Sequence, residues 1–104
     1  MTGRKERTMK AILITLDEPK IIEIENELEA LQEAVDGYIE TVTLIPDKVE
    51  MIVNEEGLIK GMKQNFVASV IAGTCIVGNA LIVGVDGENF SDVPDEWIKV
   101  LSVN

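Results

Sequence analysis

The chain has no histidine and one cysteine, Cys75, among 104 residues. The missing histidine removes the commonest general base and the commonest metal ligand together. The single thiol excludes an internal disulfide and any cysteine cluster for zinc. Basic residues are also few. Lys and Arg total 9 against 19 Asp and Glu, a formal net charge of −10. Thirteen of those acids, and only Lys20 and Lys48 among the bases, fall between Asp17 and Glu56. Such a surface repels a phosphate backbone, which argues against direct nucleic-acid binding, and attracts basic proteins. The competing reading is that the acids are a solvated face that keeps the chain soluble.

No apolar h-region follows the basic N-terminus, so no signal peptide is expected. Residues 1–9 read as a flexible basic leader, with Met9 as an alternative start, and residues 10–104 as one α+β domain. Hydrophobic residues reach 46%, enough for a core without staples. Residues 67–85 are uncharged over a bilayer-spanning length. Gly73, Gly78, Gly84, Ser69, Thr74 and Asn79 argue instead for two buried strands, 70–77 and 80–85, joined by a turn at Gly78-Asn79.

One segment reads as a helix from start to stop. Asn26 is placed to cap it, Glu29 to close a capping box, and Gly37 to end it in the left-handed conformation. Leu28, Leu31 and Val35, flanked by Ala30 and Ala34, form an apolar stripe. Glu29, Glu33 and Asp36 share the opposite face. Strands are expected at 10–16, 21–25, 38–45 and 49–53, with a short return at 58–62. In the fourth, Val49, Met51 and Val53 share one face. Pro94-Asp95-Glu96 opens a short C-terminal helix over Trp97, Val100 and Leu101. The expected fold is therefore α+β: a mostly antiparallel sheet of about five or six strands, one main helix (26–36) on one face, and a short C-terminal helix.

Several motifs fall in a familiar order. Gly37-Tyr38-Ile39-Glu40 follows the helix and Asn54-Glu55-Glu56-Gly57 the fourth strand. Then come Gly61, Asn65, Ile71-Ala72-Gly73-Thr74, Gly87-Glu88-Asn89-Phe90 and Pro94-Asp95-Glu96. From about Lys10 to Glu96 the chain resembles a family of small proteins of phages and other bacterial mobile elements, the domain-of-unknown-function family numbered 3846. The resemblance implies a bacterial cytoplasm during phage or mobile-element life. It brings no established activity and no catalytic residues.

Two candidate sites stand out. Asn54, Glu55, Glu56 and Asn65 would gather two amides and two carboxylates if the 58–62 return is a strand, enough for a small ligand or a hard cation. The alternative is a turn whose Asn side chains bond backbone. Glu29, Glu33, Asp36, Tyr38 and Glu40, with Glu23 and Glu25 nearby, are the candidate partner-binding face. Asp86, Glu88, Asp92, Asp95 and Glu96 fail the EF-hand pattern, because Ser91 stands where the loop needs Gly, and read as a turn and helix start. Cys75 sits in an apolar run and reads as a buried small hydrophobe. No phosphate loop is present.

The leading functional expectation is a non-catalytic acidic protein that binds a host protein, such as a defence or nucleic-acid enzyme. The alternatives are a protein that sequesters a small ligand or nucleotide, and an enzyme. No cofactor, metal or catalytic residue is expected. A homodimer by strand pairing is open.

Overall fold

The computed structural model describes residues 8–101. In chain order its elements are Thr8–Ile14 (β1), Pro19–Glu25 (β2), Leu28–Val35 (α1), Ile39–Ile45 (β3), Val49–Asn54 (β4), Phe66–Ala72 (α2), Ala80–Asp86 (β5), Asn89–Ser91 (β6) and Asp95–Val100 (α3). The strands form one antiparallel sheet in the order β2-β1-β5-β4-β3, with β6 paired to β5. The α+β class and the short C-terminal helix agree with the sequence expectation.

Period-two alternation divides the core. Ile12, Ile14, Val49, Met51, Val53, Ala80 and Ile82 turn to one face of the sheet. Met9, Ala11, Ile52, Leu81 and Val83 turn to the other. The middle strands are thus apolar on both faces, so both faces need a cover. α1 lays Leu31 and Val35 on the second face, each contributing roughly 1.5–3 kcal/mol by burial. Leu28, expected in that stripe, is exposed. It stands at the first helical position, a turn before the buried Leu31. The first face is covered by Val67, Ala68, Ile71 and Ala72 of α2 and by Trp97, Ile98 and Leu101 of the C-terminal segment. Val100 is exposed instead.

β5 is the axis of the sheet. It pairs with β4 along one side. On the other side it pairs with β1 through Ala80–Ile82 and with β6 through Gly84–Asp86. The junction is tied where the Val93 N–H donates to the Lys10 carbonyl (2.9 Å) and the Lys10 N–H donates to the Asp92 carboxylate (2.8 Å). The radius of gyration, 13.1 Å, is that of a closely packed chain of this length.

Three expectations are corrected. Residues 70–77 are not a strand, and Gly78-Asn79 is not a hairpin turn: residues 66–72 form α2, stopped by Gly73 at φ +73°. A short run of β-branched and apolar residues has no period that separates buried strand from buried helix. Here the Asn65 cap decides. Residues 58–62 are turns, closed by Gly61 N–H to Leu58 C=O (3.1 Å) and Met62 N–H to Gly57 C=O (3.0 Å). The domain also starts before Lys10, since Thr8 and Met9 belong to β1 and Met9 is buried. Residues 1–7 of the expected leader lie outside the described residues. Among the described residues no helix is long and apolar enough to cross a membrane.

Candidate functional site

α1 begins differently from its sequence signature. Glu27, not Asn26, is the N-cap residue, and no side chain caps the first turn. Asn26 instead donates its amide to the Phe90 carbonyl (2.8 Å), fastening the helix start to β6. The capping box with Glu29 therefore does not form. At the other end Asp36, not Gly37, takes the left-handed conformation (φ 66°), which a short polar side chain tolerates. Gly37 follows at φ +155°, and a Cβ there would stand 2.6 Å from the Asn54 amide nitrogen.

The solvent face of α1 borders a groove of about 560 Å³, lined by Glu25, Glu27, Glu29, Ala30, Gln32, Glu33, Asp36 and Gly37. Glu29 and Glu33 are one helical turn apart. Glu25 comes from the end of β2 and Glu27 from the cap. Five carboxylates thus surround one groove without a lysine or arginine in its lining. Among the described residues the one side-chain ion pair is Lys60–Glu56 (3.6 Å), which lies elsewhere. Glu27 was not singled out from the sequence, though its place two residues after Glu25 and two before Glu29 is the signal.

The candidate partner face divides in two. Glu29, Glu33 and Asp36 meet in this groove. Tyr38 is exposed (62%) ahead of β3. Glu40 points to the other side of the sheet, in register with Val42, and lines a second groove of about 360 Å³. That groove also holds Asn54, Glu55, Leu58, Ile59 and Cys75. Cys75 is exposed, not buried, because the chain leaves the core after Gly73 and returns only at Ile76. Leu58 and Ile59, 71% and 88% exposed, were also missed, since a strand at 58–62 would have buried one of them.

The Asn54, Glu55, Glu56 and Asn65 set is not assembled. Asn54 is 5% exposed; its amide donates to the carbonyls of Val35 (3.0 Å) and Asp36 (3.1 Å), and its oxygen accepts from the Glu56 N–H (2.7 Å). Asn65 is 1% exposed; it donates to Ile14 (2.9 Å) and Gly78 (2.8 Å) and caps Ala68 of α2 (3.1 Å). Asn65 does not line the groove that holds Asn54. The amide hydrogens of both are spent on backbone, and Glu56 is turned to Lys60. Both asparagines close the ends of helices against strands. Asn54→Ala is therefore expected to cost about 2 kcal/mol, read in a urea melt, by stranding carbonyls at the end of α1.

Among the described residues no three His, Cys, Asp or Glu side chains lie where they could hold a metal ion together. The Asp92 carboxylate of the C-terminal acidic cluster is engaged by the Lys10 N–H. A third hollow, about 710 Å³ and open to solvent, lies between Thr8, Met9, Asn26 and residues 89–92. Asp92 is the one charged group in its lining.

No curated protein and no solved structure matches the chain. A family model does: the domain of unknown function DUF3846 matches residues 9–103. With nearly its whole length covered by that model, the chain belongs to the DUF3846 family.

Proposed function

We propose that this protein is a non-catalytic binding protein of phage or mobile-element type that holds a basic host protein in the groove along α1. The observation that carries this reading is the ring of Glu25, Glu27, Glu29, Glu33 and Asp36 around one groove. Carboxylates a helical turn apart present regularly spaced negative charge on a rigid scaffold. That arrangement suits a surface evolved to grip phosphates, such as the nucleic-acid groove of a defence enzyme. The net charge of −10 steers such an encounter and repels nucleic acid itself. The bacterial cytoplasm is the compartment in which such a target is met.

The test is reversal of charge. Glu29 and Glu33 are exposed and make no hydrogen bond to another side chain among the described residues, so Glu29→Lys/Glu33→Lys is expected to leave stability within about 0.5 kcal/mol. Affinity for a basic protein captured by the wild type should fall by roughly a hundredfold, with a shallower salt dependence, in calorimetric titration. Unchanged affinity would remove the groove from the account.

A further inference from the structure

The two edges of the sheet differ in chemistry. β2 carries Pro19, Lys20, Glu23 and Glu25, the residues that keep a free edge from pairing. β3 carries one charge, Glu40, no proline, and otherwise Ile39, Thr41, Val42, Thr43, Leu44 and Ile45. The Glu55 N–H donates to the Tyr38 carbonyl (2.8 Å), and pairing continues through Glu40↔Val53 and Val42↔Met51. By antiparallel alternation residues 38, 40 and 42 turn their main chain to β4, and Ile39, Thr41 and Thr43 turn theirs off the sheet. A register shift between Thr43 and Ile45 ends the regular edge there.

We propose that two copies of the chain pair antiparallel through β3, about a two-fold axis at Thr41. This register matches every outward main-chain group before the bulge: Ile39 faces Thr43 of the second copy, and Thr41 faces Thr41. It also suits the charge. Glu40 falls opposite Val42 of the second copy, not opposite Glu40. The acidic end of each edge, with Asp36 and Glu40, runs toward the β3–β4 turn of the other, where Lys48 stands beside Asp47.

The covering layer points the same way. α2 packs over β3 and leaves Phe66 (73% exposed) and Val70 (67%), one helical turn apart, uncovered. Leu58 and Ile59 stand beside Val42 in the adjoining groove. The exposed parts of these four and of Tyr38 amount to on the order of 600 Å² per copy, and the paired strand edges bring this near the ~800 Å² per partner of a stable interface. A two-fold axis through an edge-to-edge pair keeps both α2 helices on one face of a continuous sheet, flanking the axis. It sets both α1 grooves on the other face, so a dimer would meet a two-fold partner bivalently. The pairing itself does not depend on what the α1 groove binds.

Sedimentation equilibrium of the full chain tests this. The wild type is expected at twice 11.4 kDa at micromolar concentration. Thr41→Lys sets like charges opposite each other at the axis, and Val70→Lys charges the helix flank. Each is expected to raise the dimer dissociation constant roughly a hundredfold, with an unchanged far-UV spectrum. Glu23→Lys on the β2 edge should leave the dimer intact. A wild type that stays at 11.4 kDa would overturn the proposal, as would a dimer that survives both Thr41→Lys and Val70→Lys or one dissociated by Glu23→Lys.

Discussion

Asn65→Ala is expected to destabilise the fold by about 3 kcal/mol, and Asn65→Asp by more. Asn65 is almost fully buried, and its one side chain serves three backbone groups: the carbonyls of Ile14 and Gly78 and the N–H of Ala68. Alanine would strand all three, combining a lost helix cap with two unsatisfied carbonyls. Aspartate keeps the cap acceptor but has no hydrogens to donate. It would aim a buried charge at two carbonyl oxygens, which is the costlier fault. Asn65→Ser, which keeps a cap acceptor without the charge, should recover about 1 kcal/mol relative to alanine. Denaturant midpoints at constant m-value measure the series. In a domain of this size the alanine variant should melt roughly 12–24 °C lower. A binding-site asparagine would behave differently, since its replacement would cost little in the free protein.

Gly84→Ala is the second large effect, about 3–4 kcal/mol. Gly84 lies in β5 between Val49 of β4 and Ser91 of β6. A methyl there would be driven into the Asp92 carbonyl oxygen, well inside van der Waals contact, and would stand 2.9 Å from the Ser91 hydroxyl. The obstacle is mainly backbone, and that backbone is fastened to β1 through the Lys10 bonds, so it cannot step aside cheaply. The expected result is a loosened β6 and faster amide exchange at Ser91, paired with Gly84, and at Val93. Full stability in Gly84→Ala would mean that β6 is free to move.

Much of this fold is written locally. The alternation of Val49, Met51 and Val53 gives β4 and its face directly. The spacing of Leu31 and Val35 against Glu29 and Glu33 gives α1, its buried side and its acidic side together. What is decided at long range was illegible. Asn26 has every property of an N-cap, but the Phe90 carbonyl, 64 residues on, takes its amide. The run from Val67 to Val77 suits helix and strand equally. Its state follows from Asn65 being held between Ile14 and Gly78, a placement no local pattern contains. The same distance effect separates Asn54 from Asn65, which read in sequence as one polar set and sit in the structure as two unrelated clasps. Cys75 reads as a core residue because its sequence neighbours are apolar, yet it is exposed. The loop that exposes it exists only because α2 ends at Gly73.

The account's central claim is that the carboxylates along α1 hold a protein. Native mass spectrometry of the protein purified from a bacterial host lysate tests it most directly, comparing wild type with Glu29→Lys/Glu33→Lys. The account predicts a retained basic protein on the wild type that is absent from the variant. A small molecule as the retained species, or the same protein retained by both forms, would contradict it.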